Sequence, residues 1–193
     1  MPEFTLTALI LGMLADLLVP VALAKKYPGY SHLMDTISAL GARKSPVRIW
    51  ENVNLVLVGS LFMVSAIGQA QFFKPHQWSS TLYILGILTF ASGCILAGIF
   101  PADPQKSLST KIHGVASGIG FIALSFNPLW AVFMQPLKGV RVLNGFLFVC
   151  AVLTFSLFVA SENRETGCLK YTGLYQRLNL IILYLCLSLN GIQ

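Results

Sequence analysis

Six long apolar runs, at residues 4–24, 53–73, 82–100, 112–134, 140–160 and 174–189, take up most of this 193-residue chain, with polar punctuation between them. Each is close to the ~20 residues, or ~30 Å of helix, that the hydrocarbon core of a bilayer demands. Lipid offers no partner to backbone N–H and C=O groups, so spanning segments are helices or closed barrels, and runs without strict alternation select helices. Composition agrees: 55% of residues are hydrophobic and 10% charged, more apolar surface than a water-soluble domain of this size hides. The expected fold is all-α, one polytopic domain over residues 1–193 built as a six-transmembrane-helix bundle. The first run is expected to remain a span and not a cleaved signal peptide. Ala22 and Ala24 resemble a cleavage site, but the segment opens on Glu3 and carries Asp16, where a signal needs a basic start.

If the N-terminus lies on a face called A, the first, third and fifth connections lie on the opposite face, B. Face B then receives ten basic residues (Lys25, Lys26, Arg43, Lys44, Arg48, Lys106, Lys111, Arg164, Lys170 and Arg177) and face A three, Lys74, Lys138 and Arg141. The positive-inside rule puts face B in the cytoplasm and both termini outside, as in a multi-pass protein of the cell membrane. The net charge of +6 is read as this basic collar; no nucleic-acid motif accompanies it. Cys94, Cys150 and Cys186 fall in spans and Cys168 in a loop, without CxxC spacing, so they read as small hydrophobes and not as a disulfide or metal framework.

Polar chemistry gathers on face B. The first connection, residues 25–50, is longer than a turn requires, and long loops usually have a function. Within it, residues 31–42 (SHLMDTISALGA) read as a short amphipathic helix across the mouth of the bundle: Leu33, Met34, Ile37 and Leu40 share one face, while Ser31, Asp35 and Ser38 share the other with His32 at its border. In the third connection Pro101 and Pro104 flank Asp103, and His113 opens the next span ahead of Gly114 and Gly118, a small-xxx-small pair suited to close helix packing. Glu51, Asn52 and Asn54 open the second span; Tyr175, Gln176, Arg177 and Asn179 open the sixth. Asp16 lies about two turns deep from face B, where an ionisable group needs a partner or faces water. Its plain structural role is a neutral carboxyl bonded to Asn54 or a similar amide. Face A offers His76, Gln135, Asn144 and Asn190, which read as scattered, with His76 a solvated loop histidine.

At YSHLMDTISALGA (residues 30–42), FPADP (residues 100–104) with KIHG (residues 111–114), and GLYQRLN (residues 173–179), the chain resembles the bacterial and archaeal domain-of-unknown-function family 998. The resemblance covers almost the whole chain and implies a six-span membrane protein, with no activity attached.

Two classes of function fit the residues. In the first, a polar, partly buried site on face B modifies a lipid or other amphiphile, as in a hydrolase or transferase, with Asp35, Asp103, His113 and His32 exchanging protons and Asp16, Ser31, Ser38, Asn54, Gln176 and Arg177 holding the ligand. His32, Asp35, Asp103 and His113 also make a candidate N/O set for a divalent metal such as zinc. No HExxH signature or nucleophile elbow supports the enzyme. In the second, the same mouth binds membrane lipids or an amphiphilic small molecule without chemistry, or carries protons or solutes along Asp16, Asp35 and Asp103. No internal repeat or matched pair of broken helices of the transporter kind is visible. The sharpest expectation is one cavity shared by Asp35, Asp103 and His113, with Arg177 on its wall binding a carboxylate through two donors.

Overall fold

The computed structural model describes residues 3–72, 78–103, 107–162 and 167–191. Their order is α1 (Glu3–Ala24), α2 (Ser38–Gly41), α3 (Arg48–Ala70), α4 (Trp78–Ile99), α5 (Leu108–Ser125), α6 (Asn127–Met134), α7 (Lys138–Ser161), a 3₁₀ turn (Cys168–Lys170) and α8 (Thr172–Gly191). No strand occurs among the described residues. Six segments are long and apolar enough to cross a membrane, α5 and α6 together making the fourth. The protein is an all-α polytopic bundle. Helices overrun the apolar runs because backbone hydrogen bonding continues past the hydrocarbon boundary. The second span thus begins at Arg48 and carries Glu51 and Asn52 inside its first turns.

α4 runs through the middle, packed against α3 on one side and α5 on the other; α1 lies on α3, and α7 on α8. Small residues permit the close approaches. A methyl group at Gly59 would lie 2.5 Å from the Ala91 carbonyl oxygen, and one at Gly93 2.7 Å from that of Ala116. Gly114 and Gly118 do not play this part: a methyl at either meets nothing within 4 Å, because both face a cleft between α5 and α7. Phe62 links the aromatic core, with its ring 5.6 Å from those of both Phe90 and Tyr184. Exposed leucines such as Leu11, Leu14, Leu18 and Leu153 face lipid, the solvent here.

Two prolines shape the spans. Pro128 opens α6; it has no N–H for the carbonyl four residues back and clashes with it, so the fourth span breaks at Phe126. Asn127 fills the break, its Nδ2 donating to the Tyr83 carbonyl at 3.0 Å. Among the described residues no second span is divided in this way. Pro20 lies inside α1 and cannot donate to the carbonyl of Asp16, one turn earlier.

The expected helix over residues 31–42 is shorter than its apolar spacing suggests. Residues 31–35 form a turn, with the Asp35 amide donating to the Ser31 carbonyl at 2.7 Å, and only Ser38–Gly41 are helical. Ile37 and Leu40 are buried, whereas Leu33 and Met34 are about half exposed, at 50% and 48%. The cause lies 139 residues away in sequence, at Gln176 near the start of α8.

Candidate functional site

The first connection is tied down by α8. Arg177 donates through Nη1 to the carbonyls of His32 (2.8 Å), Asp35 (3.0 Å) and Gly173 (2.9 Å) and through Nη2 to the Tyr30 hydroxyl (2.6 Å). The Ile37 amide donates to Gln176 Oε1 at 2.7 Å and the Leu174 amide to the Leu33 carbonyl at 3.0 Å. These bonds occupy the carbonyls and amide that a continuous helix would use, and buried backbone groups must be paired somewhere. Arg177 therefore grips a loop and not, as expected, a carboxylate. Tyr30 in turn donates to the Thr36 carbonyl at 3.0 Å; burial pushes its hydroxyl above the ordinary range, opposed by the neighbouring Arg177 charge. His32 packs edge-on to the Tyr30 ring with its Nδ1 buried and unpartnered. Desolvation first, then Arg177, holds its pKa below the ordinary value.

The residues expected to share one cavity are held apart. Asp35 Oδ2 accepts from the Ser31 amide at 2.8 Å, closing its own turn. Asp103 pairs with Arg43 (Nε to Oδ2, 3.2 Å), tying the third connection to the first, and the Arg43 amide donates to the Ala102 carbonyl at 3.1 Å. Pro104, the expected second clamp on Asp103, lies outside the described residues. His113 Nδ1 faces the carbonyls of Ala97 and Phe100, each at 3.2 Å; both can only accept, so this nitrogen carries the hydrogen. His113 and Gln176 line the cleft between α5 and α7, but Asp35, Asp103 and Arg177 do not. Among the described residues no three His, Cys, Asp or Glu side chains come together to hold a metal. The set His32, Asp35, Asp103 and His113 is thus not assembled, since each carboxylate is already committed to a local donor.

A different constellation forms beneath the first connection. Asp16, Ser38 and Gln176, with Cys94 and Ser117, line a cavity of about 40 Å³, room for about three waters. The Asp16 partner is Tyr184, whose hydroxyl donates to Oδ2 at 2.5 Å, while Asn54 Nδ2 donates to the neighbouring Ala15 carbonyl at 3.4 Å. Gln176, Leu180 and Tyr184 recur every fourth residue on one face of α8, the one trace of this pairing in the sequence. Glu51 is fully buried, and neither carboxylate oxygen has a hydrogen-bond partner. It sits one turn before Leu55, a cavity-lining residue, on the same face of α3, and within electrostatic reach of both Asp16 and Arg177.

Ser38, Ser117, Phe121 and Gln176 line both this cavity and a cleft of about 310 Å³ between α5 and α7. The cleft has a polar end formed by Thr36, Ser38, Thr110, His113, Ser117 and Gln176, and an apolar wall of Phe121, Phe155, Phe158 and Val159. The two helices flanking it pack little on each other.

The polar residues toward face A are not scattered. Gln135 Nε2 donates to Asn190 Oδ1 at 2.6 Å, Asn144 and Asn190 exchange bonds at 3.2 and 3.0 Å, and Arg141 donates to the Gln135 carbonyl at 2.9 Å. These amides staple α7 and α8 to the end of α6. His76 lies outside the described residues.

The family model described as Protein of unknown function (DUF998) matches residues 10–192. The chain belongs to this family. No curated protein and no solved structure matches it. The three segments that carry the resemblance meet in space: GLYQRLN grips YSHLMDTISALGA through Arg177, Gln176 and Leu174, and FPADP reaches the first connection through Arg43. Residues far apart in the chain thus build one roof over the cavity.

Proposed function

We propose that this chain binds a membrane amphiphile, with the polar head beneath the first connection and the hydrocarbon part in the cleft between α5 and α7. One observation carries this: a cleft of about 310 Å³ that is polar at its roofed end and aromatic along its wall, the pattern of a small-molecule pocket with a few convergent polar groups. Asp35 and Asp103 are held outside the cleft by Ser31 and Arg43, which favours binding over hydrolysis or group transfer. A proton- or solute-coupled carrier is the second reading, favoured by the two buried carboxylates Asp16 and Glu51. The basic collar supports a cell-membrane protein with face B in the cytoplasm and both termini outside.

The test is Gly118→Leu. Open space surrounds that position and leucine favours helix, so the variant is expected to fold and melt like the parent while its side chain fills the cleft. Native mass spectrometry of protein released from nanodiscs is expected to show bound lipid on the parent and much less on the variant. Equal lipid retention would overturn the assignment of the cleft.

A further inference from the structure

Asp16 and Glu51 are 3% and 0% exposed, and burying a charge is costly unless another charge or hydrogen bonds compensate it. The donors near them are few. Tyr184 serves one Asp16 oxygen, and Glu51 receives nothing. Arg177 acts on Glu51 through space, but its bonds go to three carbonyls and the Tyr30 hydroxyl. The other described basic residues of face B turn elsewhere: Lys25, Lys26, Arg43, Lys44, Arg48 and Lys111 are exposed, and Lys170 lies over the Tyr171 ring. The one guanidinium nearby is thus spent on carbonyl and phenol oxygens, and Asp16, on the cavity wall, has Tyr184 and no base as its partner. Pro20 leaves the Asp16 carbonyl, too, without its helical donor. Glu162 lines the cleft as well.

We infer that the head group taken beneath the first connection is a primary ammonium, so that the amphiphile is cationic. This rests on the amphiphile reading above and adds the chemistry of its head. The ammonium supplies a positive charge and three donors to Asp16 on the cavity wall, with Glu51 buried one turn before Leu55 of the same lining. The cavity volume of about 40 Å³ suits a group the size of a few waters, whereas three methyl groups on the nitrogen would overfill it and remove every donor. The alkyl chain leaves past Ser117 and Phe121, which line both the cavity and the cleft.

The experiment uses the full chain in zwitterionic nanodiscs and four probes of one chain length: dodecylamine, dodecyltrimethylammonium, dodecanol and dodecyl sulfate. Binding is read by equilibrium dialysis at moderate salt. The primary amine is expected to bind on the order of tenfold more tightly than the alcohol, the size of a charge-assisted contact, with the trimethylammonium and the sulfate no better than the alcohol. Glu51→Gln and Asp16→Asn, both isosteric, are expected to collapse the amine-to-alcohol ratio, while Glu3→Gln, exposed at the start of α1, preserves it. Equal binding of amine and alcohol to the parent, or a ratio surviving both core substitutions, overturns the ammonium assignment while leaving amphiphile binding intact. Failure of all four probes to bind overturns both.

Discussion

Tyr184, near the end of α8, donates a hydrogen bond from its hydroxyl to the buried carboxyl group of Asp16 in α1, a contact of 2.5 Å between residues 168 positions apart. With Ser188 Oγ donating to Met13 Sδ at 3.7 Å, it links the first and last spans, which otherwise share few contacts. Tyr184→Phe removes the donor while keeping the ring against Phe62, and is expected to lower stability by about 1–3 kcal/mol, the penalty for a buried acceptor left unmet. Thermal melts in a fixed detergent check this. Asp16→Asn in the Tyr184→Phe background should recover part of the loss, because a neutral amide costs less to bury than a carboxylate. A further drop on adding Asp16→Asn would count against a buried Asp16–Tyr184 pair.

Arg177 is expected to resist conservative replacement. Its fork bonds three carbonyls and a phenol at once, which the single ammonium of lysine reproduces only in part. Arg177→Lys should therefore speed hydrogen exchange across residues 30–37 and leave α3 and α4 protected. Gly173→Ala is expected to do the same more severely, since its methyl would collide with the Asp35 carbonyl oxygen. Unchanged exchange in both variants would show that the roof is held by something else.

The docked loop should also weaken in acid. Burial and Arg177 lower the pKa of His32 from its ordinary 6.5, so the neutral ring is favoured in the folded state. The unfolded or undocked loop then binds the proton more readily. Docking stability is full above pH ~6.5 and is lost as pH falls from there through the lowered folded value. Hydrogen exchange of residues 30–37 is expected to rise between pH 7.5 and 5.5, corrected for intrinsic rates, and His32→Asn is expected to flatten the dependence.

How much of this was legible depended on the solvent. The spans were readable because lipid sets a length that apolar runs must meet. Which face of a span turns inward was not, since lipid-facing and core-facing residues are equally apolar. Leu11, 50% exposed, and Leu9, wholly buried, look alike in sequence. Tyr184 was hidden for the same reason, as one more aromatic in an apolar run, and Glu51 read as the polar opening of a span that in fact begins three residues earlier. The three motif segments touch one another on face B. The cavity was assigned to the wrong carboxylates, because Asp35 and Asp103 each find a local partner in Ser31 and Arg43 that spacing alone does not reveal. The helix over residues 31–42 failed because its backbone partners come from α8.

Topology gives the last test. Six crossings leave both chain ends on one face, and the basic residues predict that face to be the outer one. In a background without the native cysteines, single cysteines at Ala102 and at Gly139 report on opposite faces: Ala102 follows α4 in the third connection, and Gly139 opens α7 in the fourth. A methyl-sized group at Gly139 meets nothing within 4 Å, so the substitution should not disturb packing. An impermeant maleimide added to intact cells is expected to label the Gly139→Cys protein, and to reach the Ala102→Cys protein only after the membrane is opened. The reverse pattern would place the roof, the cavity and the Arg43–Asp103 pair on the outer face, where a ligand would arrive from outside the cell.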